Sequence, residues 1–174
     1  MKKIIPIIII LGLIFSVRSD NSIIIPAEAL RFRVIANSNS KIDQEIKKQV
    51  KEDLEKDLYV YLKDVESVGE AKNILNNKMP FMKNRIDTTL KNNNNLYSYN
   101  ISLGLSHFPH KEFRGLIYEE GEYESLVVRL GRGEGSNWWC VLFPPLCLLE
   151  ASESELETVE YHFFVRKLLD KFFK

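Results

Sequence analysis

Between Gly131 and Cys147 the chain reads Gly-Arg-Gly-Glu-Gly-Ser-Asn-Trp-Trp-Cys-Val-Leu-Phe-Pro-Pro-Leu-Cys, so both tryptophans and both cysteines of the protein follow one glycine-rich turn. Trp138 to Phe143 is a continuous apolar run with the length of a strand buried on both faces. Pro144 and Pro145 cannot donate to a ladder, so the strand must stop there and the chain must turn, directing Cys147 back towards Cys140. Adjacent strand residues point to opposite faces, which separates Trp138 from Trp139. Gly131, Gly133 and Gly135 precede a strand instead of opening a helix. They therefore read as a bulge or long hairpin turn and not as a phosphate loop.

Elsewhere the pattern alternates between two periods. Leu30, Phe32, Val34 and Ala36 alternate with Arg31, Arg33 and Asn37, as in a half-buried strand. Ser40, with Asp43 three residues on, caps a helix whose apolar stripe is Val50, Leu54, Leu58, Tyr61 and Val65. Ser67 and Glu70 form a capping box for a second helix through Ala71, Ile74, Leu75, Met82, Ile86 and Leu90, kinked or split at Pro80. Three strands then precede the tryptophan strand: Tyr97–Ser106, Phe113–Tyr118 and Tyr123–Leu130. A last helix is expected from Ser152, with Tyr161, Phe164, Val165, Leu168 and Phe172 inward and Phe163 on the polar side. Strands joined by short connections favour an antiparallel meander. The expected fold is α+β, an antiparallel sheet with helices packed mainly on one face, plus an N-terminal signal segment.

At 174 residues the chain is long enough to bury one core. Lys+Arg and Asp+Glu balance at 24 each, so charge points to no nucleic acid. Met1-Lys2-Lys3 followed by the apolar run Ile4–Phe15 is shorter than the ~20 residues of a comfortable bilayer span and resembles a signal h-region. Residues 1–19 are expected to be a signal peptide or signal anchor, 20–29 a linker and 30–174 a single α+β signalling domain. Export makes Cys140 and Cys147 either a disulfide or two buried thiols. Two cysteines and the scattered His107, His110 and His162 show no zinc-ligand spacing, and neither metal nor cofactor is expected.

Two segments carry a family resemblance. Leu30-Arg-Phe-Arg-Val-Ile-Ala-Asn-Ser-Asn-Ser40, with Asp43-Gln44, resembles the opening motif of stage II sporulation protein R. Phe108-Pro109, Gly121-Glu-Tyr-Glu and Gly131 through Cys147 resemble that family's second motif. Asn39 stands where the family usually has aspartate, Glu119-Glu120 replace Pro-Ala, and Phe113 replaces a common tyrosine. These are turn and hydroxyl changes on the same framework. The resemblance implies a protein exported from the forespore into the space between forespore and mother-cell membranes. There it would activate a membrane-embedded aspartic protease of the mother cell, which processes pro-sigma-E, and would itself be no enzyme. No nucleic acid or small-molecule substrate is implied.

For such a ligand protein, the expected partner-binding surface combines Arg31, Arg33 and Asn37 with Asn137, Trp138 and Trp139. The competing reading gives the arginines salt bridges and Asn37 a helix-capping role. Two other functions are weighed. A cell-wall carbohydrate-binding module would use the tryptophans as stacking platforms. A cysteine hydrolase would use Cys140 with a histidine base, although an apolar strand raises a thiol's pKa and shields it. Phe163, Phe173, Lys171 and Lys174 allow peripheral membrane contact by the last helix, which is read first as core packing.

Overall fold

The computed structural model describes residues 22–95, 97–113, 115–147 and 158–173. The expected leader at 1–19 and the helix cap at Ser152 lie outside them. In chain order the elements are β1 (Ile23–Ile24), β2 (Leu30–Ile35), α1 (Lys41–Leu62), α2 (Val68–Asn92), β3 (Tyr99–Phe108), β4 (Lys111–Phe113), β5 (Leu116–Tyr118), β6 (Gly121–Leu130), β7 (Asn137–Phe143) and α3 (Thr158–Phe172). The class is α+β.

The larger sheet has the order β3-β6-β2-β7. β3 pairs antiparallel with β6 and β2 antiparallel with β7, while β2 and β6 run parallel. The sheet is therefore mixed, and the expected meander is replaced by the insertion of β2 between β6 and β7. The cause lies in the strand itself: Leu30, Phe32 and Val34 are buried on one side and Arg31 on the other, so β2 is central and has no wet face there. The stretch expected as one strand from Phe113 to Tyr118 is instead the hairpin β4–β5, joined by β1 in a separate small sheet of order β1-β5-β4. Residues 22–29, read from the sequence as part of a linker, contribute β1 and bury Ile25 and Ala29.

Helices α1 and α2 cover one face. Ser40 caps α1 by accepting from the Asp43 amide at 3.1 Å, and Ile46, Val50, Leu54, Leu58 and Leu62 recur every fourth residue on its buried side. Ser67 caps α2 in the same way, and α2 runs unbroken through Pro80. Asp57 accepts from Arg85 Nε and Nη2 at 2.8 and 2.9 Å, and Thr89 donates to Asp53 at 2.8 Å, which fixes the two helices against each other. Their stripes meet Phe32, Val34, Leu126, Val128 and Leu142 in the main core. Each large apolar side chain fully buried there contributes about 1.5–3 kcal/mol.

A second core fills the opposite face, where Ile25, Leu116, Val141 and Leu146 meet Val165 and Leu169 of α3. Phe172 of α3 also packs edge-on against Phe143, with centroids 4.9 Å apart. Phe163 stands exposed on the outer side of α3, as its position in the pattern predicts.

Candidate functional site

The two motif-bearing segments meet in space. After β2 the chain turns through Asn37-Ser38-Asn39-Ser40, and before β7 it loops through Gly131–Ser136. The amides of Glu134 and Gly135 donate to the carbonyls of Asn37 and Ala36 at 3.1 and 3.0 Å. The Asn37 side chain accepts from the Arg132 amide at 3.0 Å and donates to Asp43 at 2.9 Å. Asn39 Oδ1 accepts from both the amide and the hydroxyl of Ser136. The glycines make this approach possible: a Cβ on Gly135 would lie 2.3 Å from the Ser38 carbonyl oxygen, and Gly131 holds φ +53° with Asn37 against it.

Asp43 is the hub of the junction. Its carboxylate accepts from Ser38, Asn37 and Tyr97, the last at 2.8 Å. The Ser38 hydrogen bond, followed by those from Asn37, Tyr97 and Ser40, holds this carboxyl below its ordinary range against the opposing effect of burial.

β7 splits the tryptophans as expected. Trp138 faces the helices, edge-on to Phe32 at 5.6 Å and with Lys51 Nζ 5.0 Å from its ring centroid. Trp139 faces the second core, edge-on to Phe108 at 5.3 Å and Tyr118 at 5.1 Å. Among these rings lies Arg31, whose guanidinium carbon is 3.3 Å from the Tyr123 centroid and 4.9 Å from that of Phe108. Arg31 is completely enclosed, and among the described residues none of its three guanidinium nitrogens meets a hydrogen-bond partner in good geometry. Burial pushes its pKa down, offset in part by Tyr123 and Tyr118.

The expected surface therefore divides. Arg31 is corrected from a partner-facing residue to an interior one: aromatic rings take the place of water and carboxylates around it. Asn37 is only partly buried, and both ends of its amide serve the loop junction. Arg33 is half-buried, donates to the His107 carbonyl at 3.1 Å, and is pushed down in pKa by burial and by Arg129. It pairs across the ladder with Trp139, and Asn137 with Ile35, so Arg33, Asn137, Trp138 and Trp139 remain along the β2–β7 ribbon. Cys140 and Cys147 form a disulfide with Cα atoms 5.7 Å apart, which leaves no thiol nucleophile at Cys140. His107 and His110 are exposed beside Glu122 and Glu112, while the His162 side chain lies outside those described. Among the described residues no group of His, Cys, Asp and Glu is arranged to hold a metal ion.

Sequence reading missed a basic groove of ≈ 500 Å³ floored by Trp138, where α1 passes β7. Lys41, Lys47, Lys48 and Lys51 line it, with Glu45 the acidic member. Their helical spacing was the available signal, but α1 alone does not reveal which strand it faces. A smaller recess of ≈ 190 Å³ also touches Trp138 and includes Lys111, Phe113, Tyr118 and Trp139.

Comparison with known proteins finds one family over most of the chain. The family described as Stage II sporulation protein R matches residues 26–153, a span that contains both loops and β7. The Stage II sporulation protein R of Bacillus subtilis (strain 168) is 37% identical over 139 residues, covering 79% of this chain and 62% of that protein. The match thus spans less than two thirds of the relative's length. No solved structure matches the chain.

Proposed function

Because the chain belongs to the stage II sporulation protein R family, we propose that it is an exported intercellular signal of sporulation, released by the forespore and read by a membrane-embedded aspartic protease of the mother cell. Activation of that protease would lead to processing of pro-sigma-E. In this reading the chain makes and breaks no bonds, and its folded surface is what the partner recognises. The observation that carries the proposal is the family match over residues 26–153.

Two features of the molecule support it. A disulfide suits an oxidising space outside the cytoplasm, where the basic and apolar N-terminal sequence would deliver the chain. The interlocked loops tie down the entry to β7 and its tryptophans, and a preorganised surface lowers the cost of binding. The cysteine-hydrolase alternative loses its nucleophile to the disulfide. The test is reconstitution of the protease and the sigma precursor in vesicles, with and without this protein. Processing that depends on added protein is the expected result. Equal processing in its absence, or none in its presence, would overturn the proposal.

A further inference from the structure

We propose that the outer edge of β7 at Asn137–Trp139 docks an extended segment of a partner protein whose side chains alternate between acidic and apolar. β7 is the terminal strand of the larger sheet: β2 holds one edge, and no strand among the described residues pairs with the other. A terminal strand turns every second amide and carbonyl outward and so offers a template for an added strand. The accessible part of this edge is Asn137–Trp139, since Cys140 to Phe143 are buried, and those three residues include no lysine, proline or inward charge, the devices that usually blunt such an edge.

The two recesses beside this edge supply the specificity. On the helix side, Lys41, Lys47, Lys48 and Lys51 surround Trp138. Lys51 is paired with Glu55 at 3.2 Å, and Lys47 donates to Gln44 at 2.7 Å and to the Ser136 carbonyl at 3.2 Å. Lys41 and Lys48 are exposed and make no ion pair among the described residues, so the groove keeps an excess of positive charge over Glu45. On the other side, the rings of Phe113, Tyr118 and Trp139 line the smaller recess, with Lys111 Nζ 4.9 Å from the Trp139 centroid. A strand added to β7 sends alternate side chains to these two sides. Acidic residues meet the lysines, and apolar residues meet the rings. That the occupant belongs to the activated protease rests on the signalling function proposed above; the docking edge itself does not.

The test uses the full chain and a fluorescein-labelled octapeptide of alternating Glu and Val, compared by anisotropy with an octapeptide of the same residues grouped by type. The alternating order is expected to bind at least about ten-fold more tightly, a difference that mere attraction of an anion does not produce. Joint Lys41→Glu and Lys48→Glu substitution is expected to weaken it by about ten-fold or more, with the fold checked by circular dichroism. Methylation of alternate peptide amides should abolish the preference. Equal affinity for both orders, no binding of either, or equal competition by phosphatidylglycerol vesicles would overturn the docking edge. The same lysine variant in the processing assay separates the two claims. Lost peptide binding with unchanged processing removes the edge from the receptor contact and leaves the signalling function standing. Intact peptide binding by a wild-type chain that triggers no processing does the reverse.

Discussion

Asn39 Oδ1 accepts from the amide and the hydroxyl of Ser136, at 2.7 and 2.8 Å, across 97 positions of sequence. This one oxygen joins the turn that follows β2 to the loop that enters β7. The two loops are therefore one structural unit, and the register of the β2–β7 ribbon is fixed from its end.

The role of Asn39 is that of an acceptor, which an aspartate fills equally well. Asn39→Asp is expected to keep stability within about 0.5 kcal/mol of wild type. Asn39→Ala should lose about 1–2 kcal/mol, because the Ser136 donors lose their protein acceptor. Urea unfolding of the three proteins checks this, and an alanine variant as stable as wild type would refute the acceptor role.

Asp43 gives the fold a predictable acid dependence. Its carboxyl is held below the ordinary range chiefly by the Ser38 hydrogen bond, with Asn37, Tyr97 and Ser40 adding to it. The folded chain therefore takes up this proton less readily than the unfolded chain, and the stabilisation is complete above the unfolded carboxylate value of about 4. It is lost as pH falls through the lower, folded-state value. Asp43→Asn is expected to destabilise the protein by about 2–4 kcal/mol near neutral pH, by breaking a part-buried polar network. The gap between wild type and variant should narrow below about pH 4, where wild type begins to lose the contribution that the variant lacks. Denaturation midpoints across that range read the effect, and a gap that stays constant with pH would exclude it.

The helices, their caps and the splitting of Trp138 from Trp139 were legible because each depends on local spacing. The helix stripe Val50-Leu54-Leu58 and the caps Ser40 and Ser67 are set within a few residues. The position of β2 was not legible: strand order is decided by contacts between distant segments, and alternation made Arg31 look like a wet residue. Only the three-dimensional gathering of Phe108, Tyr118, Tyr123 and Trp139 reveals an environment that accepts a guanidinium. Asn37 was legible as important, but its role as a loop tie required seeing Arg132 beside it. The lysine groove was hidden for the same reason, since its floor comes from a strand far along the chain.

Arg31 should discriminate sharply between its substitutes. A flat, weakly hydrated guanidinium can lie against the Tyr123 ring, whereas an ammonium is compact and strongly hydrated. Arg31→Lys is expected to cost about 3 kcal/mol or more, by burying a charge that cannot stack. Arg31→Met, uncharged and of similar bulk, should be the more stable of the two variants. Thermal unfolding of both decides the matter, and a lysine variant at least as stable as the methionine one would show that the cation is not desolvated.

The disulfide joins Cys140 in β7 to Cys147 beyond the Pro144-Pro145 turn, and both residues are nearly inaccessible. Closing so short a loop restricts the unfolded chain by about 2.5 kcal/mol in the entropic account, and two prolines that already stiffen the loop reduce that figure. Replacing both cysteines by alanine is therefore expected to cost about 1–2.5 kcal/mol and leave the fold intact, because the Trp138 and Trp139 packing does not depend on the sulfurs. Wild type unfolded and refolded in reductant should fall to the midpoint of the double variant, and the variant should not respond to reductant. A wild-type midpoint unmoved by reductant would mean that the two sulfurs add nothing as a crosslink, and that pairing with β2, the Pro144-Pro145 turn and Phe172 against Phe143 suffice to hold the end of β7.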